Sequence, residues 1–181
     1  MRKFSFLLGM LTLGMGGVAS AASSLDLGLS NELAMATYQM DFNSDVRLQG
    51  SLLHADVDDQ RSNVLSVGFL VGQNTGNVQP YVGAKVVALD GEHANAYGLA
   101  LDGGIDFNVA PRLWLGASAA YSPNVVLGGD FDTYYELGAR VGYQIIPQAQ
   151  AYLGFKDVQA KKDSFHYEAY QGVVVGVKFS F

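Results

Sequence analysis

From Leu25 to its last residue the chain repeats with a period of two. Leu25, Leu27 and Leu29 alternate with Asp26, Gly28 and Ser30. Leu65, Val67, Phe69 and Val71 alternate with Ser66, Gly68 and Gly72. The pattern is clearest from Tyr97 to Val109, where Tyr97, Leu99, Leu101, Ile105 and Phe107 oppose Gly98, Ala100, Asp102, Gly104, Asp106 and Asn108. Successive side chains of a strand point to opposite faces, so each segment reads as a strand with one apolar and one polar side. No long window carries a competing helical period. The segment Leu33 to Asp41 alternates less cleanly, and its facing stays open.

Before the first strand stands an export signal. Arg2 and Lys3 precede an apolar run from Phe4 to about Met15, and small residues follow as far as Ala19-Ser20-Ala21. A basic start, a short apolar core and an A-x-A site are the parts of a secretory signal peptide. Residues 1–21 are therefore expected to be removed, leaving 22–181 as a single barrel domain. The run is too short for a bilayer-spanning helix. Cys is 0, which excludes lipid-modified cysteine, disulfides and thiol chemistry. Without Arg2 and Lys3, 9 basic residues face 17 acidic ones, a net charge of about −8. Such a chain offers no basic face for nucleic acid.

An exported, alternating chain with no second apolar helix can cross a membrane only as a closed barrel, because lipid satisfies no open strand edge. Ten strands can be counted, and an antiparallel up-and-down transmembrane barrel of about ten is expected, with eight as the alternative. Short turns at Asn43-Ser44, Asn74 to Asn77, Ala110-Pro111 and Pro147-Gln148 alternate with connections at Val57 to Asn63, Asp90 to Asn95, Ser122 to Asp132 and Val158 to His166. Short periplasmic turns and longer external loops are the outer-membrane arrangement. Aromatics on the apolar face gather near strand ends (Tyr97, Phe107, Tyr121, Tyr143, Phe155, Phe179, Phe181), as two interfacial girdles would require. A soluble lipocalin-like barrel, apolar side inward, is the alternative.

The polar face carries Arg47, Lys85, Arg140, Lys156 and Lys178 against Asp102, Asp106 and Glu136. Buried charges must be paired, so these eight are expected to form a network inside a filled lumen; a charged constriction of a narrow porin is the other reading. Asp102 and Asp106 are the expected partners of Arg140, and Lys85, Lys156 and Lys178 those of Glu136. Val174, on the polar parity, is expected to face the polar lumen, and Val175 lipid. Tyr81, Trp114, Tyr134, Tyr152 and Tyr170 point inward as bulk.

Chemistry-bearing groups are few. Ser164, His166 and Glu168 share a face near the outer rim and raise the possibility of a lipid hydrolase. Residues two apart on a strand lie roughly 6–7 Å apart, too far for direct proton transfer from serine to histidine. Asp56 and Asp58 begin like a calcium loop, but Arg61 stands at the turn glycine and Val67 at the closing glutamate. His54 and His93 lack ligand-spaced partners, so neither a metal nor a cofactor is expected.

Two resemblances sharpen the picture. The ending Val177-Lys178-Phe179-Ser180-Phe181 resembles the terminal strand of Gram-negative outer-membrane barrels. That implies recognition of Val177, Phe179 and Phe181 by the barrel-assembly machinery. The stretch Gly116-Ala-Ser-Ala-Ala-Tyr121-Ser-Pro123-Asn, with Tyr135-Glu-Leu-Gly-Ala-Arg140-Val-Gly-Tyr143, is similar to the YfaZ family of outer-membrane proteins. The resemblance implies location and fold and carries no activity. The expectation is a small monomeric barrel with a structural or surface-interaction role, in contact with outer-membrane lipid and lipopolysaccharide, and no enzyme.

Overall fold

The computed structural model describes residues 22–57, 60–73, 75–91, 95–162 and 165–181. Its strands are β1 (Ser23–Leu29), β2 (Leu33–Asp41), β3 (Val46–Val57), β4 (Gln60–Gly72), β5 (Val78–Gly91), β6 (Asn95–Ala110), β7 (Leu113–Ser122), β8 (Leu127–Gly129), β9 (Thr133–Ile146), β10 (Ala149–Lys162) and β11 (Phe165–Ser180). Each long strand pairs antiparallel with its neighbours in sequence. The ring closes because β1 also pairs with β11. The short β8 stands aside from this ring and adds to the outer end of β6, where it pairs Ala96, Tyr97 and Gly98 with Gly129, Gly128 and Leu127. Ten strands thus make a closed up-and-down barrel, in which no edge is left unpaired.

Closure is tied at the last residue. The Ser23 N–H donates to the Phe181 carbonyl at 2.8 Å, and the Phe181 N–H returns the bond to Ser23 at 2.9 Å. The turns on the side of the termini are tight for identifiable reasons. Asn43 Oδ1 accepts from the backbone N–H of Asp45 and Val46 at 2.9 and 2.8 Å, an Asx turn. Pro111-Arg112 reverses the chain with Arg112 at φ 74°.

The alternation decides facing. Leu29, Val67, Val86, Leu101, Val141, Leu153 and Val175 lie exposed on the outer wall, bounded by Tyr97 and Tyr121 towards one end and Phe107, Tyr143 and Phe179 towards the other. This is an apolar belt with aromatic rims on the outside of a closed sheet. β2, open on sequence grounds, turns Leu33, Met35, Thr37 and Gln39 inward, as burial of Leu33 and the cavity lining show.

The strands run further outward than the sequence reading allows. Residues read as connections, including Gln60 to Asn63, Asp90-Gly91 and Val158 to Lys162, are paired strand. Pairing persists beyond the apolar belt because backbone bonds do not need apolar side chains. There Asp56 faces Arg61 in an ion pair of 3.3 Å, and His54 Nδ1 lies 2.8 Å from Asn63 Oδ1. Near the outer end of β11 a bulge shifts the register. Val158 pairs with Tyr170 but Gln159 with Glu168, so Ala169 is the extra residue. Inward parity therefore changes, and Tyr167, Ala169 and Tyr170 are all buried while His166 and Glu168 are exposed.

Val174 is 2% exposed and faces inward as expected, at the border of two environments: it belongs to the buried hydrophobic cluster with Leu33 and Tyr170 and also lines the polar cavity beside Asp26 and Tyr152. Val175 beside it is 60% exposed on the belt.

Candidate functional site in the barrel lumen

The interior is layered along the barrel axis. Its outer half is an apolar core built by inward residues at the outer ends of the strands: Leu33, Leu53, Val64, Val87, Leu89, Tyr134, Val158, Tyr167 and Tyr170. These positions arise where alternation gives way to continuous apolar runs (Leu52-Leu53, Val64-Leu65, Val86 to Leu89), because lipid outside and a dry core inside both demand apolar side chains. The segment between β7 and β9 closes the top. Its Phe131 is buried, with ring centroids 5.5 Å from Tyr167. The segment is tied down by Asn124 Nδ2 donating to Asp132 Oδ1 at 3.0 Å and by Asp130, whose N–H donates to the Asn95 carbonyl at 2.7 Å.

Below the core lies the charge network. Glu136 is its centre. Lys85 Nζ lies 2.7 Å from Oε1, Lys156 Nζ lies 2.8 Å from Oε2, and the Tyr134 hydroxyl donates to Oε1 at 2.8 Å from the core side. Lys85 also reaches Asp102 at 3.4 Å. A second cluster forms one step nearer the termini. Arg140 Nη1 meets Asp26 Oδ2 at 3.0 Å, and the Tyr152 hydroxyl donates to Asp26 Oδ1 at 2.7 Å. The Arg140 guanidinium also lies over the rings of Trp114 and Tyr152, 5.4 and 5.6 Å from their centroids. Each guanidinium or ammonium here is partly desolvated, so both charge pairing and ring contacts count for more than at a surface.

All eight charges read from the sequence line one cavity of about 110 Å³, together with Asp26. At roughly 30 Å³ per molecule, that is room for about four waters. The pairing differs from expectation for Arg140: its partner is Asp26, and neither Asp102 nor Asp106 reaches it as an ion pair. Lys178 Nζ donates to Gln39 at 3.3 Å and makes no ion pair with Glu136. Arg47 stacks over Tyr81, 5.6 Å from its centroid. Asp106 Oδ1 is buried without a hydrogen-bond partner among the described residues. Asp26 was legible: it occupies the polar parity between Leu25 and Leu27. Phe131 and Tyr167 were not, since one lies in a connection and the other beyond a bulge.

The remaining sequence candidates lie elsewhere. Val177, Phe179 and Phe181 sit on the outer wall at the terminal end, with Phe179 and Phe181 exposed. His166 and Glu168 face outwards near the rim, and Ser164 is outside the described residues. Asp58 and His93 are also outside them. No helix among the described residues is long and apolar enough to cross a membrane, and none of their acidic and histidine side chains cluster as a metal site.

A closed antiparallel barrel with an aromatic-bounded apolar exterior and its charges turned inward is an integral outer-membrane β-barrel protein. The whole chain, residues 1–181, matches the family described as YfaZ precursor, and it belongs to that family. No curated protein matches it. Among solved structures it is similar to the outer membrane protease OmpT from Escherichia coli, with 10% identity, TM-score 0.51, and coverage of 89% of this chain and 93% of the other. It is also similar to the KdgM porin in complex with disordered oligogalacturonate (15% identity, TM-score 0.46, covering 88% and 99%) and to the NanC porin (8%, 0.45, 88% and 99%). At these identities the likeness is one of fold.

Proposed function

We propose that this barrel is a sealed outer-membrane protein with a structural and surface-directed role, acting as a monomer and without enzymatic activity. The observation that carries this reading is the buried apolar layer that includes Leu33 and Tyr170, with the buried Phe131 packed on it, which stands between the charge network and the outer rim. A channel needs continuous polar lining, whereas hydrated ions crossing this layer would lose their water without a replacement. Lys161 and Lys162, at the outer end of β10, supply ammonium groups that suit pairing with lipopolysaccharide phosphate, which supports the surface-directed part of this reading. Val177, Phe179 and Phe181 present the outward apolar end that the assembly machinery reads in similar barrels.

A narrow porin is the second reading, favoured by the polar cavity and by five cations facing four carboxylates around it. Liposomes carrying the folded protein decide between them. The sealed barrel leaves swelling in small sugars and amino acids at the level of empty liposomes; a porin accelerates it. Overexpression should also leave the mass of lipid A unchanged, since His166 and Glu168 face outwards at i and i+2. Loss of an acyl chain would restore the hydrolase reading.

A further inference from the structure

The outer wall of β9, β10 and β11 changes character in steps along the barrel axis, and the register fixes the steps. Val158 and Ala160 point into the apolar core, so Asp157, Gln159 and Lys161 point out. Phe155 lies opposite Val173 in the belt, both exposed. One row outward, Asp157 stands between Leu137 and Gln171. In the next row Gln159 stands between Tyr135 and Glu168, and Tyr135 is itself opposite Tyr121 of the outer aromatic rim. The last row sets Lys161 opposite His166. Rows two residues apart are roughly 6–7 Å apart, so apolar, amide and basic levels follow one another within about 20 Å.

The amide level is held in place. Gln159 Nε2 donates to Asp157 Oδ1 at 2.9 Å, and Gln159 Oε1 accepts from the Tyr135 hydroxyl. Asp157 is covered and serves to orient Gln159; Gln171 beside it is exposed. The Lys161 carbonyl accepts from the Asp132 N–H at 2.7 Å, and Lys161 Nζ lies 4.9 Å from the Tyr135 ring centroid. Charge also singles out this wall. Of the 9 basic residues of the mature chain, 5 line the lumen, Arg112 stands at a turn beside the termini, and Arg61 pairs with Asp56. Lys161 and Lys162 remain, and neither makes an ion pair among the described residues. Elsewhere the outer rim carries Asp56, Asp90 and Asp130, so an anionic head group meets like charge there and cations here.

Phosphate above hydroxyls and amides above acyl chains is the order of groups in the phosphorylated glucosamine lipid of the outer leaflet. We infer that the β9–β11 wall holds one molecule of lipopolysaccharide: Lys161 and the His166 ring N–H take a lipid A phosphate, Gln159 and Gln171 the glucosamine, and Phe155 and Val173 its chains. This site rests on the surface-directed part of the function proposed above and gives it a place on the barrel.

The mature barrel, folded in a zwitterionic detergent, is titrated with bis-phosphorylated lipid A and read by native mass spectrometry. EDTA is present throughout, so that no divalent ion bridges lipid to the acidic rim. One lipid A per barrel is expected, with Kd raised about tenfold in Lys161→Gln, the loss of one charge-assisted hydrogen bond. Arg61→Gln, on β4, should bind as the native chain does. Lipid A without phosphate tests the same contact with no substitution: the native chain should bind it about tenfold more weakly, and Lys161→Gln no more weakly than that. Heat-modifiable mobility establishes that each variant is folded. Liposome swelling by the same preparations reads the sealed lumen separately, so loss of lipid A binding with swelling at baseline removes this site and leaves the sealed barrel standing. Equal retention of phosphatidylglycerol, a lipid-free dimer with a second copy on this wall, or equal affinity for lipid A with and without phosphate overturns the proposal.

Discussion

Glu136 and Asp106 show how differently two inward carboxylates on one polar face can be held. Glu136 has Lys85, Lys156 and Tyr134 around it, and removing its charge leaves Lys156 without an ion-pair partner among the described residues and Lys85 with Asp102 alone. Breaking a buried pair in this way costs about 3–5 kcal/mol. Glu136→Gln should therefore lower barrel stability by that order in urea titrations of protein folded into lipid vesicles. Asp106 has an unpartnered buried oxygen, so Asp106→Asn should leave stability unchanged or raise it. Equal losses in the two variants would mean that the pairs around Glu136 contribute little. Arg140→Ala leaves Asp26 with the Tyr152 hydroxyl alone and should destabilise the barrel. The matched variant Asp26→Asn in the same background should recover part of the loss, which a double-mutant cycle measures.

At the scale of the element, β11 concentrates what was and was not legible. Its outward row Val173, Val175, Val177 and Phe179 follows from parity alone, and so does the seam partner β1, whose Leu27 lies opposite Val177. Its inward row does not. Parity places Val174 inside but cannot say what surrounds it, because the buried apolar core is assembled from seven other strands and one connection. The bulge at Ala169 is equally silent: nothing in Tyr167-Glu-Ala-Tyr170 marks which residue will be unpaired. The charged half of the lumen was legible as a set of residues, since lysine, arginine and carboxylates stand out on an inward face. Which carboxylate meets Arg140 was not, because cross-barrel distance depends on closure. Two tests belong here. Single cysteines at 174 and 175, each bearing a fluorophore, should be quenched weakly and strongly by a lipid-soluble nitroxide; the reverse order would place the apolar wall inside. Deleting Phe181 removes both backbone bonds to Ser23 and should reduce heat-modifiable, folded protein in the outer membrane. Undiminished folded protein would show that the last residue is dispensable for closure and assembly.

At the scale of the molecule, ten strands of alternating character solve two solvation problems at once. The outer wall meets lipid, and the backbone is satisfied all round by closure. On the reading proposed above the lumen is filled rather than an open aqueous bore, in order from the outside: Phe131, an apolar core, a paired charge layer, and Trp114 above the periplasmic mouth. Each layer satisfies the groups it buries, with Asp106 and the Trp114 indole as the exceptions among the described residues. The central claim is that this filling blocks the barrel. Single-channel recording of the purified, folded protein in a planar bilayer tests it most directly, with heat-modifiable mobility establishing that the inserted material is folded. The sealed barrel predicts a baseline without discrete steps at either polarity. Reproducible steps that scale with salt and change in size on Arg140→Ala would show a conducting lumen and contradict the account.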